Sequence, residues 1–490
     1  MHHPSSFRLT ALALAGAAFL AACGGVDDPV PVPEETRPQD SRTFTADATA
    51  TTFAAMAAAA GDVVVMSTTS RWAGVLNGAG YRVEVPANWN GKLVMYAHGY
   101  AGTGAALGVN NPSIRRYLIQ NGYAWAASSY SKNYYDVRAG VEDTNALALE
   151  FTNIAAKNAR TLAAPTKMFI TGHSMGGHIT AAAIEDEAAT YTVHKVKYNG
   201  AVPMCGVVGD TELFNEFAAM QVTAQSLAGV PAYPTAKFAD IQALVTSTLF
   251  STFNTTPAFP TPSIVPTAGP GTKYVSVLQN ITGGPRPLFA QGLAYGQSFP
   301  SAYGTFGGDG TISGILTKNV LDTSGYTYTI TGDAAGSTAL NASAQKLTGD
   351  PDANRLRRDG LRWIPVANGE FKIPVVSIHT LGDLFVPFSM EQVYSKRVTA
   401  KGNGAWLVQR AIRGISHCDF TVAEQVTAFD DMIKWEGGGP KPTGDDVVTP
   451  ATVAATTYGC TYTKNTAGPD DSAGTLGLRQ IIAATTPACP

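Results

Sequence analysis

A strand, an abrupt turn and a helix are predicted in direct succession between residues 167 and 184, and this succession constrains the fold most strongly. An apolar run at 167–171 leads into Gly172-His173-Ser174-Met175-Gly176, and an Ala-rich stretch follows. The turn has the form G-x-S-x-G, in which a serine occupies a strained strand-to-helix corner with its hydroxyl held above a sheet. The stretch therefore predicts a nucleophilic serine on a sheet that is followed by a helix.

Both outer positions of this turn are glycines, and each has a physical reason. A side chain at Gly172 or Gly176 would collide where the strand and the following helix nearly touch. The first turn of the helix also directs free N–H groups and its positive dipole end toward Ser174. Negative charge develops at that position during acyl transfer, so the pattern favours acyl-transfer chemistry.

Strands and helices alternate around this turn. Strands are predicted at 62–66, 81–85, 92–97, 123–127 and 196–203, with helices at about 112–121 and 141–159 between them. Such alternation predicts an α/β fold with a mostly parallel sheet covered by helices on both faces. His98, Ser174 and Cys205 each follow a predicted strand, at the edge where such sheets bind ligands.

The alternation stops after residue 208 and resumes at 372. Residues 209–370 contain amphipathic helices, Thr-Pro-Gly-rich stretches and recurring aromatic residues. We interpret them as an inserted cap between strands 6 and 7, and an independent second domain is the alternative. The core is then expected at 61–208 and 371–436, and the Gly-Thr-Pro-rich tail at 437–490 is expected to lie on the surface.

The N-terminus has the pattern of an export signal. Arg8 precedes an apolar run at 9–20 that is too short to span a bilayer as a mature helix. Leu20-Ala21-Ala22-Cys23-Gly24 resembles the lipobox of bacterial lipoproteins, in which the cysteine is acylated. We therefore expect a signal peptide at 1–23, a lipidated Cys23 and a proline-rich flexible tether at 24–60. An ordinary signal peptide with an incidental Cys23 is the alternative.

Charge and cysteine content limit the possible partners. The chain has 34 basic and 37 acidic residues and no basic stripe, so no nucleic-acid partner is expected. Membrane contact is expected only through the lipid anchor, on the outer membrane or the cell surface, and a secreted protein is the alternative. Of five cysteines, removing Cys23 leaves four, an even number suited to an oxidising compartment. Three pairings of these four are possible, and free buried thiols are the alternative.

A serine nucleophile needs a base, and the base needs an orienting acid. Of eight histidines, His417 alone lies in a loop between the last predicted strand and the last predicted helix. Asp383 lies in the loop after the preceding strand, and Asp210 is a second candidate for the acid. The order Ser174, Asp383, His417 is the order expected for α/β-hydrolases.

The chain resembles an α/β-hydrolase at several motifs in the correct order. His98-Gly99-Tyr100 is similar to the family's oxyanion turn after the third strand, and residues 172–176 are similar to its nucleophile elbow. Gly382-Asp383 followed by Val386-Pro387 is similar to its acid loop. The resemblance implies a triad of Ser174, Asp383 and His417. It also implies that the backbone N–H groups of Tyr100 and Met175 hold the oxyanion.

Two disulfides are expected within this frame. Cys418 directly follows the predicted catalytic histidine, and Cys205 ends the strand beside the nucleophile elbow. A Cys205–Cys418 bridge would hold the histidine loop in place, so this pairing is preferred over the others. Cys460 and Cys489 would then pair within the C-terminal tail.

These predictions favour hydrolysis of a carboxylic ester through an acyl-enzyme, with no metal and no organic cofactor. The motifs also resemble those of cutinase-like polyester hydrolases, so the ester substrate is expected to be a small molecule, a lipid-like molecule or a polymer. A serine peptidase or amidase is one alternative, because the same triad serves both. A surface binding lipoprotein without turnover is the other. The oligomeric state is left open.

Overall fold

One eight-stranded sheet forms the centre of the computed structural model, which describes residues 34–47, 50–256, 259–309 and 311–490. The predicted signal peptide, the lipidation site at Cys23 and the first part of the predicted tether lie outside these residues. Residues 37–490 form one compact unit. No helix among the described residues is long and apolar enough to cross a membrane.

The sheet is mostly parallel. Its strands in chain order are β1 (Ser70–Leu76), β2 (Ala79–Val85), β3 (Lys92–Ala97), β4 (Ala124–Ser128), β5 (Lys167–His173), β6 (Gly200–Met204), β7 (Val375–Thr380) and β8 (Leu407–Ile412). Across the sheet they follow the order β1-β2-β4-β3-β5-β6-β7-β8. Strand β2 pairs antiparallel with β1 and β4, and all the other pairs are parallel.

The helices of the described residues, in chain order, are α1 (Arg115–Gln120), α2 (Val137–Lys157), α3 (Met175–Ala182), α4 (Asp186–Tyr191), α5 (Glu212–Leu227), α6 (Phe238–Leu249), α7 (Pro270–Ile281), α8 (Phe289–Tyr295), α9 (Ser298–Tyr303), α10 (Ala334–Ser343), α11 (Ser389–Ala400), α12 (Val422–Glu436), α13 (Pro450–Val453) and α14 (Ala473–Thr485). Two small sheets add the strand pairs Thr45–Ala46 with Ala106–Leu107 and Phe250–Phe253 with Ile264–Pro266.

Apolar side chains bury both faces of the sheet, because successive residues of a strand point to opposite sides. Leu93 and Met95 of β3 belong to a cluster that includes Phe151 of α2. Their neighbours Val94 and Tyr96 belong to a second cluster on the opposite face, which includes Leu118 of α1 and Phe429 of α12. The predicted fold class is confirmed: helices cover both faces, and a long insert separates the sixth strand from the seventh.

The start of the sheet differs from the prediction. Residues 62–66 are not a strand, and Val63 and Val65 are 86% and 63% exposed. The edge strand is β1 instead, which pairs with β2 through a tight turn at Asn77-Gly78. Both turn residues have positive φ, 50° and 85°, as a two-residue hairpin of this type requires. The Asn-Gly pair was the sequence signal for this hairpin.

Residues 37–47, which were predicted to be part of the tether, belong to the compact unit. Arg37 forms a buried ion pair with Asp136, with 2.8 Å between Nη2 and Oδ2. Gln39 donates from Nε2 to the Asn133 carbonyl at 2.9 Å, and its backbone N–H donates to the Gly314 carbonyl at 3.0 Å. The packed chain therefore begins by Arg37, well before residue 60, because these polar side chains find buried partners.

The insert and the tail both contribute side chains to buried apolar clusters. Phe217 and Leu293 of the insert belong to the same apolar cluster as Ile179 of α3. The tail was expected on the surface, but Val453 and Ile482 are buried against residues that include Leu381. Most of the tail is exposed, as expected, and its helix α14 contributes the apolar face that carries Ile482.

Candidate active site

Ser174 lies at the corner between β5 and α3. Its φ of 59° and ψ of −122° fall in a left-handed region that is strained for a serine. A Cβ at Gly172 would lie 2.3 Å from the Gly176 carbonyl oxygen, and one at Gly176 would lie 2.0 Å from that of Ala97. The predicted collision between strand and helix is confirmed for Gly172, whereas a side chain at Gly176 would collide with the end of β3.

Two neighbouring loops surround the serine. Its backbone N–H donates to the Met204 carbonyl at the end of β6, at 3.0 Å. From the other side, a Cβ placed on Gly99 would be 3.7 Å from Ser174 Oγ. The loop after β3 thus passes directly beside the hydroxyl, which is consistent with the oxyanion turn expected there. Ser174 itself is 9% exposed.

Asp383 and His417 are joined by a short hydrogen bond. His417 Nδ1 lies 2.6 Å from Asp383 Oδ2. The other carboxylate oxygen, Oδ1, accepts the backbone N–H groups of Phe385 and Val386 at 2.9 and 3.1 Å. Asp383 is fully buried, so these three hydrogen bonds fix the carboxylate after β7 and orient the imidazole.

A disulfide connects the histidine loop to the strand beside Ser174. Cys418 follows His417, Cys205 follows Met204, and their Cα atoms are 5.2 Å apart in the bridge. The second expected pair, Cys460–Cys489, is also present. Among the described residues no hydrogen bond joins Ser174 Oγ to His417 Nε2. Catalytic hydrogen bonds are often long before substrate binds, and the roles of Ser174 as nucleophile and His417 as base stay predictions.

The other described histidines are engaged elsewhere. His173 contacts the Tyr96 hydroxyl at 3.2 Å and Gln425 Oε1 at 3.0 Å, and burial lowers its pKa to about 4. The remaining ring contacts are His178 with Tyr135 and the Pro365 carbonyl, His98 with the Gly99 carbonyl, His194 with Glu142, and His379 with the Val386 carbonyl. His417 is the described histidine that contacts Asp383 most closely.

The alternative acid Asp210 and the nearby Asp419 both have other partners. Asp210 forms an ion pair with Arg397 and accepts the backbone N–H of Ala367 at 3.1 Å. Asp419 Oδ2 accepts the backbone N–H of Ile415 at 3.1 Å. The structure therefore brings Asp383, and neither alternative, to the imidazole of His417.

Two backbone N–H groups are free at the positions expected for an oxyanion hole. Met175 is the first residue of α3, and the first N–H groups of a helix have no acceptor within it. Tyr100 follows Gly99 in an irregular loop, and no acceptor for its N–H occurs among the described residues. Burial raises the pKa of the Tyr100 phenol to about 12, so this side chain is neutral near pH 7.

Two basic side chains, His379 and Arg286, lie near the Asp383 carboxylate. His379 Nε2 is 3.9 Å from Asp383 Oδ2. Burial alone would lower the pKa of His379, but the Glu391 and Asp383 carboxylates raise it above its ordinary value. Arg286 is also buried near Asp383 and donates from Nε to the Leu381 carbonyl at 2.7 Å.

One contact at the site was not predicted from the sequence. Helix α8 of the insert and the residue that follows it lie against the two loops that carry Asp383 and His417. A Cβ at Gly292 would be 2.1 Å from the Gly382 carbonyl oxygen, and one at Gly296 would be 1.8 Å from that of Ile415. The four-residue spacing of these glycines was visible in the sequence, but not the loops that they contact.

Replacing Gly296 by alanine should therefore displace the histidine loop. We expect Gly296→Ala to lower kcat by about 10²-fold, because a misplacement near 1 Å has that effect on catalysis. Esterase kinetics and the free energy of unfolding would be measured together. Gly325→Ala is the control in the same insert, since a Cβ there would meet nothing within 4 Å. Equal activity of the two variants would contradict a role for the α8 contact.

The two disulfides allow a matched comparison. Removing either should lower the free energy of unfolding by about 2–5 kcal/mol. We expect Cys205→Ala/Cys418→Ala also to lower kcat by about 10²-fold, because His417 loses its attachment beside Ser174. Cys460→Ala/Cys489→Ala should leave kcat unchanged. A loss of kcat in both double variants, measured below their unfolding temperatures, would argue against a specific role for the Cys205–Cys418 bridge.

One group of potential metal ligands occurs at the site, and it is not a metal site. Ligand atoms of Cys205, His417 and Cys418 lie within 4.8 Å of one another in the described part of the chain. Both sulfurs belong to the disulfide, so neither offers the thiolate that a metal would need.

Comparison with known proteins gives likenesses of low sequence identity or short extent. No family model matches the chain. An o-phthalyl amidase of Xanthobacter agilis is 30% identical over 66 residues, which span 14% of this chain and 15% of that amidase. Feruloyl esterase B from Aspergillus oryzae is 14% identical, with a TM-score of 0.36 over 79% of this chain and 86% of that one.

Two further structures show the range of the likeness. Candida antarctica lipase A in its closed state is 15% identical, with a TM-score of 0.36 over 81% of this chain and 82% of that one. An acylaminoacyl peptidase of Pyrococcus horikoshii is 9% identical, with a TM-score of 0.36 over 77% of this chain and 43% of that one.

Proposed function

Starting from the α/β-hydrolase fold of this chain, we propose that it is an exported serine hydrolase that cleaves carboxylic esters through an acyl-enzyme. The observation that carries the proposal is the hydrogen bond of 2.6 Å between His417 and Asp383, in a loop bridged to the strand end beside Ser174. A base with its orienting acid, next to a serine on a strained corner, is the arrangement that acyl transfer needs.

Acylation uses these residues in a fixed order. His417 takes the proton of Ser174 as the hydroxyl attacks the ester carbonyl, and Asp383 stabilises the imidazolium that forms. The N–H groups of Tyr100 and Met175 bind the developing oxyanion, each contributing about 3 kcal/mol to the lowering of the barrier. His417 then gives the proton to the leaving alcohol. In the second half of the cycle it activates water, which releases the acid and restores Ser174.

Amide hydrolysis is a second candidate, and one observation favours it. The curated relative with local similarity is named an amidase. The same residues would serve, with His417 giving its proton to a leaving amine. Phenyl acetate and acetanilide share an acyl group and a ring, so comparing kcat/KM for this pair separates an esterase from an amidase.

The lipid-like or polyester substrate suggested by the motifs is part of the ester proposal.

The location is proposed from the sequence pattern and the cysteines. Both disulfides fit folding in an oxidising compartment. The lipobox-like sequence at Cys23 suggests a lipid anchor on the outer membrane or the cell surface, and cleavage without lipidation would yield a secreted enzyme. Palmitate labelling of the wild type and of Cys23→Ala in a bacterial host distinguishes the two.

The activity itself is tested with the mature chain. p-Nitrophenyl esters from acetate to palmitate should be hydrolysed, and the preferred chain length would measure the acyl pocket. A fluorophosphonate probe should label one serine, identified as Ser174 by peptide mass spectrometry. A chain that neither hydrolyses these esters nor reacts with the probe would refute the proposal and favour a surface binding lipoprotein.

A further inference from the structure

Phe385 lies against the histidine of the candidate triad. Its ring is perpendicular to the His417 imidazole, at 90° with the ring centroids 5.5 Å apart. Its backbone N–H donates to Asp383 Oδ1, so the loop that holds the acid also fixes this ring. The ring therefore has a defined position relative to the group that moves the proton.

A row of buried rings supports Phe385 from behind. Phe385 stacks on Phe217 of α5 at 5.8 Å and 16°. Phe217 contacts Phe214, which contacts Tyr135 edge-on at 5.1 Å. These three residues are buried, whereas Phe385 is only partly buried. Phe385 is thus the end of the row that lies beside His417, and it is the partly exposed member of the row.

The chemistry of the proposed reaction decides which part of a substrate meets this ring. His417 must donate its proton to the oxygen of the leaving alcohol, so that alcohol lies beside the imidazole during acylation. The acyl group stays on Ser174. An aromatic surface at the imidazole therefore contacts the alcohol side of the ester.

We propose that Phe385 is a specificity-determining residue that selects esters whose alcohol carries an aromatic ring close to the ester oxygen. The inference rests on the proposed ester hydrolysis. Aromatic pairs prefer offset or edge-to-face contacts and are favoured beyond the apolar area that they bury. A ring held by Phe217 loses little freedom when a second ring packs on it, which adds to the preference.

The test compares two acetates that differ only in the saturation of a ring. Benzyl acetate and cyclohexylmethyl acetate have the same acyl group and the same attachment of the ring. We would measure the ratio of their kcat/KM values by titrating the released acid. The intrinsic reactivities of the two esters are the same for every variant, so they cancel when the ratios of two variants are compared. Phe385→Leu should lower this ratio by about two- to tenfold, the range expected for losing one aromatic pair.

Three comparisons make the result specific. Phe385→Tyr keeps the ring and should keep the ratio. Phe253→Leu removes a partly buried phenylalanine from the insert and should leave the ratio unchanged. A second pair, p-nitrophenyl benzoate and p-nitrophenyl cyclohexanecarboxylate, carries the ring on the acyl side, and its ratio should not respond to Phe385→Leu.

The outcomes separate this inference from the proposed function. An unchanged benzyl ratio in Phe385→Leu, or a change confined to the acyl pair, would overturn the inference while ester hydrolysis stands. A wild type without esterase activity and without probe labelling of Ser174 would overturn both. Should Phe385→Leu fail to fold, Phe385→Met preserves the apolar volume without the ring, and the same ratio decides.

Discussion

Replacing Ser174 by alanine should lower kcat for ester hydrolysis by about 10⁵- to 10⁶-fold and abolish labelling by a fluorophosphonate. Ser174 is the described residue whose hydroxyl lies on the strained corner at the end of β5, so its loss removes the proposed nucleophile. Loss of a serine nucleophile lowers kcat about as much as loss of the whole triad does, because the histidine and the acid then have no nucleophile to activate. The residual rate would come from the oxyanion donors and from binding.

The fold should survive this substitution. Alanine loses only a hydroxyl, and the backbone N–H of residue 174 still donates to Met204. The free energy of unfolding of Ser174→Ala should therefore stay near that of the wild type. Ser301→Ala, on an exposed turn of α9, is the control and should retain full activity. Substantial hydrolysis by folded Ser174→Ala would mean that another group is the nucleophile.

Asp383→Asn should lower kcat by about 10⁴-fold. The asparagine can still accept the N–H groups of Phe385 and Val386 through its oxygen, so the loop is expected to remain in place. Its amide nitrogen would then face His417 Nδ1 and favour the wrong tautomer of the imidazole, and the imidazolium would lose its counter-charge. Kinetics of ester hydrolysis and the rate of probe labelling should both fall.

Asp210→Asn is the matched control for the acid. Asp210 follows β6, where it was a candidate acid, but its carboxylate pairs with Arg397. We expect this variant to keep kcat and to lose about 2 kcal/mol of stability, because a charged hydrogen bond is weakened in a buried place. A reversal of the two kcat values would assign the acid to the loop after β6 instead.

Much of the fold and of the candidate site was predictable because it depends on local patterns. Short apolar runs predicted seven of the eight strands of the sheet, and the edge strand β1 was missed. The order of Ser174, Asp383 and His417 along the chain predicted a contact between His417 and Asp383 across 34 residues. The two disulfides followed from counting cysteines and from their places beside the elbow and the histidine.

What the sequence did not predict depends on contacts between distant segments. Arg37 binds Asp136 and Gln39 binds Asn133, but nothing in a proline-rich stretch marks these partners. The spacing of Gly292 and Gly296 was visible in the sequence, but a glycine has no side chain that would indicate which backbone it contacts. The ring of Phe385 beside His417 is likewise visible only once the loops are folded.

We expect the contact of helix α8 with the loops that carry Asp383 and His417 to couple the insert and the proposed triad into one cooperative unit. If the helix separated from Gly382 and Ile415, the carboxylate and the imidazole would lose the backbone surface that keeps them aligned. Partial unfolding of the insert should then inactivate the enzyme before the sheet melts. A shortened chain without the insert would be expected to retain the serine on its corner and to lack a working proton relay.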